Sequence, residues 1–404
     1  MNEKGSNSMM KDRKDRKIYC MNNIAEVGTS RFRKGYTIID TPEEAAGVLV
    51  RSAEMKDMAF PRELRAIARA GAGVNNIPIE RCTQQGIVVF NTPGANANSV
   101  KEIVIAGLLL ASRDILGGSE WVRANADDAS VAKDAEKAKK QFAGNEIMGK
   151  TIGVIGLGAV GVLVANAAVS LGMTVYGYDP YLSINSAWHL SPAVRHAESV
   201  EEICAQCDYI SIHVPAMEKT KGMIGAAQIE KMRDGVRFLN FARDVLVDEE
   251  AMAAALERGK VRCYISDFAN PTSVRMKNAI VLPHLGASTM EAEDNCAIMA
   301  VDELQDYLDN GNISHSVNFP EINAGVCETE ARVAVLHRNI PNMLSQITTF
   351  FGNHGLNIEN LANKARGEYA YTLLDLAQPM PSDTVGSLEQ IDGIIRVRRI
   401  FERG

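Results

Sequence analysis

No stretch of the chain is apolar for long enough to cross a bilayer. The apolar run Ile103 to Ala111, for example, is about half of what a spanning helix needs. An excess of positive charge is missing too. Lys and Arg number 43 against 50 Asp and Glu, for a formal charge of −7, so a polyanion is repelled on average. That disfavours nucleic acid and membrane surfaces as general partners. A disulfide framework is missing as well: seven cysteines (Cys20, Cys82, Cys204, Cys207, Cys263, Cys296, Cys327) form an odd, scattered set. This is the usage of a reducing compartment, and a cytoplasmic location is expected. Cys204 and Cys207 make a CxxC with no second ligand pair at zinc spacing, so no metal site is expected and helix-end packing is the reading. Glycine and proline are scattered without period, which excludes collagen-like and low-complexity chains. The opening MNEKGSNSMMKDRKDRK lacks the apolar core of a signal peptide and reads as a flexible tail over residues 1–17.

What is there is ordinary globular material, 46% hydrophobic and 23% charged. At roughly 150 residues per domain, 404 residues make two to three domains. Short β-type runs at Ile18–Asn22, Tyr36–Asp40, Gly47–Arg51 and Ile87–Asn91 are separated by helical or turn signals, and Pro61–Ala70 has helical spacing. AGAGVNN, over 70–76, is a glycine-punctuated loop. Ser99–Arg113 reads as a nearly all-apolar helix that must be covered on most sides, at a domain junction or a subunit interface. A second βα alternation runs from Thr151 to His284. A long helix follows over Ser288–Asn310, opened by the capping-box pattern Ser288-Thr-Met-Glu291. Residues 319–329 look like a linker, and 330–404 carry the order β-α-β-β-α-β. The fold class expected is α/β: two Rossmann-like or flavodoxin-like lobes with parallel sheets, then a ferredoxin-like domain.

The clearest motif is TIGVIGLGAVGVLVANAAVSLGMTVYGYDP. A β-run ends in Gly156-x-Gly158-x-x-Gly161, a helix follows, and the next strand ends at Asp179. Gly156 permits the tight turn, Gly158 lets a pyrophosphate reach the backbone, and Gly161 lets helix and strand pack closely. The free N–H groups of the helix start hold phosphate. Asp179 suits the ribose hydroxyls, and no nearby Arg greets a 2′-phosphate, so NAD is expected over NADP.

Two further strand ends carry reactive groups. Phe238–Phe241 leads directly to Arg243, and Asp248 then caps a helix. A planar, permanently charged guanidinium suits two-pronged binding of a 2-oxo carboxylate. The second strand ends at Pro283-His284, before Gly286. A 2-hydroxy acid gives up hydride only as its hydroxyl proton leaves, and imidazole titrates in the range to take it. His189, His196, His213, His315 and His354 lack such a context and read as structural.

At these residues the chain resembles the D-isomer-specific 2-hydroxyacid dehydrogenases. The likeness covers about residues 47–320, in the order AGAGVNNIP, FNTPGANANSVKE, GKTIGVIGLGAVG, YDP, HVP, NFAR…VDE and PHLGAST. It implies a nucleotide lobe over 100–287 inserted into a discontinuous substrate lobe of 18–99 and 288–318. It also implies that Ala159, Val160, Asp179, Val214, Phe241, Ala242, Arg243, Asp267, His284 and Ala287 line the NAD site beside the three glycines. Arg243 would bind and polarise the substrate, and His284 would act as general base. The family usually places a Glu shortly after the Asp equivalent to Asp267. Here SDFANPTSVRMKN holds no carboxylate from Phe268 to Ala279, and Thr272 stands near that place.

The ending NISHSVNFPE and the third domain are similar to family members that oxidise 3-phospho-D-glycerate, enter serine synthesis and carry a C-terminal ACT domain. A phosphate dianion needs cations. The resemblance points to Arg51 and Ser52, Gly73 and Asn75 of the glycine loop, and Lys139 and Lys140. His337, Asn339 and Asn357 match residues that bind an L-serine effector. A homodimer or homotetramer is expected. Two other readings stay open: a hydroxypyruvate/glyoxylate reductase or other D-2-hydroxyacid dehydrogenase, and a non-catalytic NAD-sensing protein.

Overall fold

A computed structural model describes residues 16–381 and 384–403. Residues 1–15 of the expected tail lie outside the described residues; Arg16 and Lys17 already belong to the first strand. The chain divides into two compact units, one formed by residues up to Ala95 together with those from Glu293 onward, the other by Asn96–Ala292.

The first unit is built on two sheets. β1 (Arg16–Cys20), β2 (Tyr36–Ile39), β3 (Gly47–Val50), β4 (Ala66–Arg69) and β5 (Val88–Phe90) lie parallel in the order β2-β1-β3-β4-β5. This is the flavodoxin-like order. Gly47 through Val50 and Ala66 through Ala68 are buried, as sheet strands covered on both faces should be. β4 corrects the helical reading of Pro61–Ala70. The Ala-rich segment has helical propensity, but Ala66 to Ala68 are captured between β3 and β5, where fully buried pairing outweighs it.

Helix Met290–Asn310 belongs to the same unit from Glu293 on. Its start differs from the expected cap: Thr289 Oγ1, not Ser288, accepts from Ala292 N at 3.1 Å. Ser288 Oγ is spent on His284 O at 3.3 Å.

The second sheet of this unit is antiparallel. β13 (Ala331–Arg338), β14 (Ile358–Arg366), β15 (Tyr369–Leu376) and β16 (Ile394–Glu402) run in the order β14-β15-β13-β16. With helices Met343–Asn353 and Thr384–Glu389 it forms the expected β-α-β-β-α-β pattern. Ala334, Leu336, Tyr371, Leu373 and Ile400 share one core with Leu304, Tyr307, Leu308 and Phe319. Polar grips reinforce this. Arg396 donates to Leu64 O at 2.9 Å and Arg398 to Gly86 O at 3.0 Å. Burial pushes the Arg398 guanidinium down to about 9. Arg332 pairs with Asp375 at 2.6 Å and also donates to the carbonyls of Asn310, Ala324 and Gly325.

The 96–292 unit holds seven parallel strands: β6 (Thr151–Ile155), β7 (Thr174–Tyr178), β8 (Arg195–His196), β9 (Tyr209–Ile212), β10 (Val236–Asn240), β11 (Val261–Ser266) and β12 (Ala279–Val281). Their order is β12-β11-β10-β9-β6-β7-β8. That is the doubly wound dinucleotide-binding order, extended by one strand. Helix Ala97–Ser112 packs Val100, Val104, Leu108 and Ala111 onto Ile152, Val154, Leu239 and Phe241. Cys204 and Cys207 are buried at the end of helix Val200–Gln206, and burial pushes both thiols up to about 12, so they fill space and stay protonated. No helix among the described residues is long and apolar enough to cross a membrane.

Candidate active site

One register row across the large sheet sets the site. Val281 pairs with Ser266, Ser266 with Asn240, Asn240 with Ile212, Ile212 with Ile155, and Ile155 with Tyr178. Each is the last residue of its strand. Within three residues beyond that row come His284, Asp267, Arg243, Val214, Gly156 and Asp179. Strands sit about 4.8 Å apart, so the backbones carrying Arg243 and His284, two strands apart, leave their sheet roughly 10 Å from each other. A long guanidinium and an imidazole can both serve a small molecule across that gap.

The glycine loop follows from sterics. Gly156 adopts φ +90°, and a Cβ there would meet His213 O at 2.7 Å. A Cβ on Gly161 would lie 1.8 Å from Gly156 O. Gly158 differs: it is extended, and a Cβ there would meet nothing within 4 Å. Open space therefore stands over the start of helix Ala159–Ser170, and no side chain caps its first turn. That combination fits a pyrophosphate. Asp179 Oδ2 accepts from Leu157 N and Oδ1 from Tyr181 N, both at 2.8 Å. Each oxygen keeps a lone pair for a ribose hydroxyl. His213 is tied through Nε2 to Ser211 Oγ at 2.8 Å, and burial pushes it down to about 4, so it stays neutral and structural at pH 7.

Arg243 is half-buried, and its side chain donates to Ala242 O at 2.6 Å. Asn240, fully buried, positions this corner by donating to Arg243 O at 2.8 Å and accepting from Ala242 N at 3.2 Å. His284 is exposed and sits at φ +58°. Asp267, carried over from the family as a cofactor contact, is 1% exposed and spends its two oxygens on Leu285 N (2.7 Å) and Gly286 N (2.8 Å). Ser99 Oγ holds Gly286 O at 2.9 Å. Thr272 opens the 273–275 turn, with its amide on Asn270 Oδ1 at 2.9 Å. The residue against His284 is Phe268, whose ring meets the imidazole edge-on at 5.1 Å. Lys139 pairs with Glu136, and Lys140 is exposed beside it.

In the other unit, Arg51 and Ser52 follow β3, and Gly73 and Asn75 follow the adjacent β4. Asn22 Oδ1 accepts from the backbone N of Arg51 (3.0 Å), Ser52 (3.1 Å) and Ala53 (3.0 Å). Asn76 ties the glycine loop to Ala53 O at 2.7 Å, and Asn91 ties it to Ala72 O at 2.6 Å. The Arg51 guanidinium pairs with Glu293 at 2.7 Å. Sequence reasoning missed Asn22, Asn76, Asn91, Glu293 and Phe268. No motif marks them, because their roles depend on contacts distant in the chain or on a ring meeting a ring.

The three effector candidates are not brought together within one chain. His337 pairs with Ala370 of β15, whereas Asn357 precedes Ile358, which pairs with Leu376 at the far end of that strand. Six residues of strand separate them, roughly 20 Å. His337 is buried with its ring nitrogens on Thr372 Oγ1 and Arg338 O, each at 2.8 Å, and Asn339 donates to Gly367 O at 3.1 Å.

Residues 105–286 match the D-isomer specific 2-hydroxyacid dehydrogenase NAD binding domain. The chain is 32% identical to the D-3-phosphoglycerate dehydrogenase of Haemophilus influenzae over 361 residues, covering 87% of this chain and 84% of that one. It is 35% identical to the enzyme of that name from Methanocaldococcus jannaschii over 312 residues, but spans only 57% of that relative's length. The crystal structure of NAD+-bound 3-phosphoglycerate dehydrogenase from Entamoeba histolytica superposes with a TM-score of 0.60 at 28% identity, covering 75% of this chain and 99% of that one. The chain belongs to the D-isomer-specific 2-hydroxyacid dehydrogenase family, and its cofactor is NAD.

Proposed function

We propose that the protein oxidises 3-phospho-D-glycerate to 3-phosphohydroxypyruvate, the reaction that opens serine synthesis. The observation that carries this reading is the register row, which sets Arg243 and His284 beyond the same edge of the sheet as the glycine loop and Asp179. The relatives named D-3-phosphoglycerate dehydrogenase support the choice of acid.

Gly156, Gly158, Gly161, Ala159, Val160 and Asp179 would hold NAD, with Val214, Phe241, Ala242 and Ala287 along its walls. NAD, when bound, supplies the two-electron acceptor for the hydride on substrate C2. Arg243 binds the carboxylate and polarises the oxygen on C2. His284 takes the hydroxyl proton as C2 becomes a carbonyl, and returns it in the reverse direction. The phosphate falls to the side chains of Arg51 and Ser52, where it would displace Glu293 from the Arg51 guanidinium, since the backbone amides of residues 51–53 are already taken by Asn22. Serine control through His337, Asn339 and Asn357 requires two copies of the chain, because one copy holds them apart.

Steady-state assays with 3-phospho-D-glycerate and with D-glycerate test this. Turnover restricted to the phosphorylated acid is expected. Arg51→Ala should raise KM for it roughly ten- to a hundredfold, the worth of a charge-assisted contact, with kcat less affected. Equal turnover of both acids would refute the substrate assignment, and NAD binding without any turnover would refute the enzyme.

A further inference from the structure

The family's usual carboxylate beside the general base is absent from residues 268–279, so something else must orient the imidazole. We infer that the Asp267-Phe268 dipeptide positions His284: Asp267 through the backbone of the histidine turn, and Phe268 through the ring. This rests on the dehydrogenase reading of His284 given above.

The backbone half stands on strain and its relief. His284 adopts φ +58°, a region that costs a side-chain-bearing residue energy unless its surroundings hold it. The next two amides, of Leu285 and Gly286, both point at the buried Asp267 carboxylate. A Cβ on Gly286 would lie 2.9 Å from Asp267 Oδ2, so a larger residue there would press on that carboxylate.

The ring half stands on Phe268. The imidazole makes no hydrogen bond to another described residue, and its aromatic neighbour is Phe268, at 5.1 Å between centroids and 68° between planes. In that geometry the positive edge of one ring meets the negative face of the other, which selects a ring orientation without a charge. Phe268 is itself pinned. Its N donates to Ser266 Oγ at 3.2 Å, and its O accepts from Ser273 Oγ at 3.0 Å. Asn270 is not free to take the carboxylate's part: its Nδ2 is on Glu249 at 2.8 Å and its Oδ1 on Thr272 N and Ser273 N, each at 2.9 Å. Phe268 is thus a positioning residue. It exchanges no proton and acts by keeping His284 aimed.

Phe268→Leu removes the edge-on contact and keeps an apolar side chain. It is expected to lower kcat roughly three- to tenfold, the worth of one aromatic pair, while KM for the acid and NAD affinity stay within about twofold. The deuterium isotope effect on kcat, measured with acid labelled at C2, should rise as chemistry becomes slower relative to release. Phe268→Tyr keeps the ring and should hold kcat near wild type. Wild-type kcat in Phe268→Leu, a loss confined to KM, or a Phe268→Tyr as slow as Phe268→Leu would each overturn the inference. Absence of turnover in the wild-type protein, with NAD bound, would overturn the reading beneath it instead.

Discussion

Gly158→Ala separates what the glycine loop does for folding from what it does for a ligand. Gly158 has φ −74° and ψ −160°, which alanine adopts without strain, and the added methyl meets nothing within 4 Å. Stiffening the unfolded chain favours the variant by about 0.4–1 kcal/mol, and losing glycine at a helix cap takes back a similar amount. Stability without ligand should therefore move by less than about 1 kcal/mol, a few degrees in Tm for a unit of this size. The methyl does fill the space over the helix start that a pyrophosphate would enter. Losing one charge-assisted amide contact, worth about 1.5–3 kcal/mol, raises Kd for NAD roughly ten- to a hundredfold. At an NAD concentration of about 100 times the wild-type Kd, ligand stabilisation of about 2.7 kcal/mol should fall to roughly 0.4–1.4 kcal/mol. Gly161→Ala is the contrast: its Cβ would lie 1.8 Å from Gly156 O, so folding itself should fail. Thermal unfolding of both variants with and without NAD reads all of this. Wild-type NAD affinity in Gly158→Ala would refute the placement of the pyrophosphate.

Other outcomes follow from the same contacts. His213 is held neutral by burial, with its pKa pushed down to about 4 from an ordinary 6.5. The unfolded chain takes up a proton there first, so stability should fall as pH drops from about 6.5 to about 4, by up to about 3 kcal/mol. A His213→Gln variant whose unfolding free energy keeps the wild-type pH slope in that window would contradict this. Arg332→Met leaves Asp375 buried without its partner and should cost about 3–5 kcal/mol, while adding Asp375→Leu should recover much of the loss; urea unfolding gives both values, and a single variant within 1 kcal/mol of wild type would refute the account. L-Serine should lower initial rates in the wild-type protein and not in Asn357→Ala, and unchanged wild-type rates at saturating serine would refute serine control.

Much of the second unit was legible because its chemistry is local in sequence. A β-run into Gly156-x-Gly158-x-x-Gly161, and a strand ending at Asp179, are dictated by sterics and helix-end polarity within 30 residues, and the structure keeps that pattern. Arg243 and His284 were legible as strand-end groups, yet which strands are neighbours, and so which groups share an edge, came only with the sheet order. Ala66–Arg69 was misread because alanine favours helix in isolation, and only burial between β3 and β5 makes it a strand. Ser288 looked like the helix cap because the pattern does not show that its hydroxyl is drawn back to His284 O. The core shared by the third sheet and Leu304, Tyr307 and Leu308 left no local trace, since its two halves lie far apart in the chain.

The most direct measurement follows an isotope. With 3-phospho-D-glycerate deuterated at C2 and one equivalent of protein and NAD, the account predicts that the label is recovered on the reduced nicotinamide. It also predicts that His284→Asn transfers none while binding NAD normally. Label released to water, or undiminished transfer by His284→Asn, would contradict it.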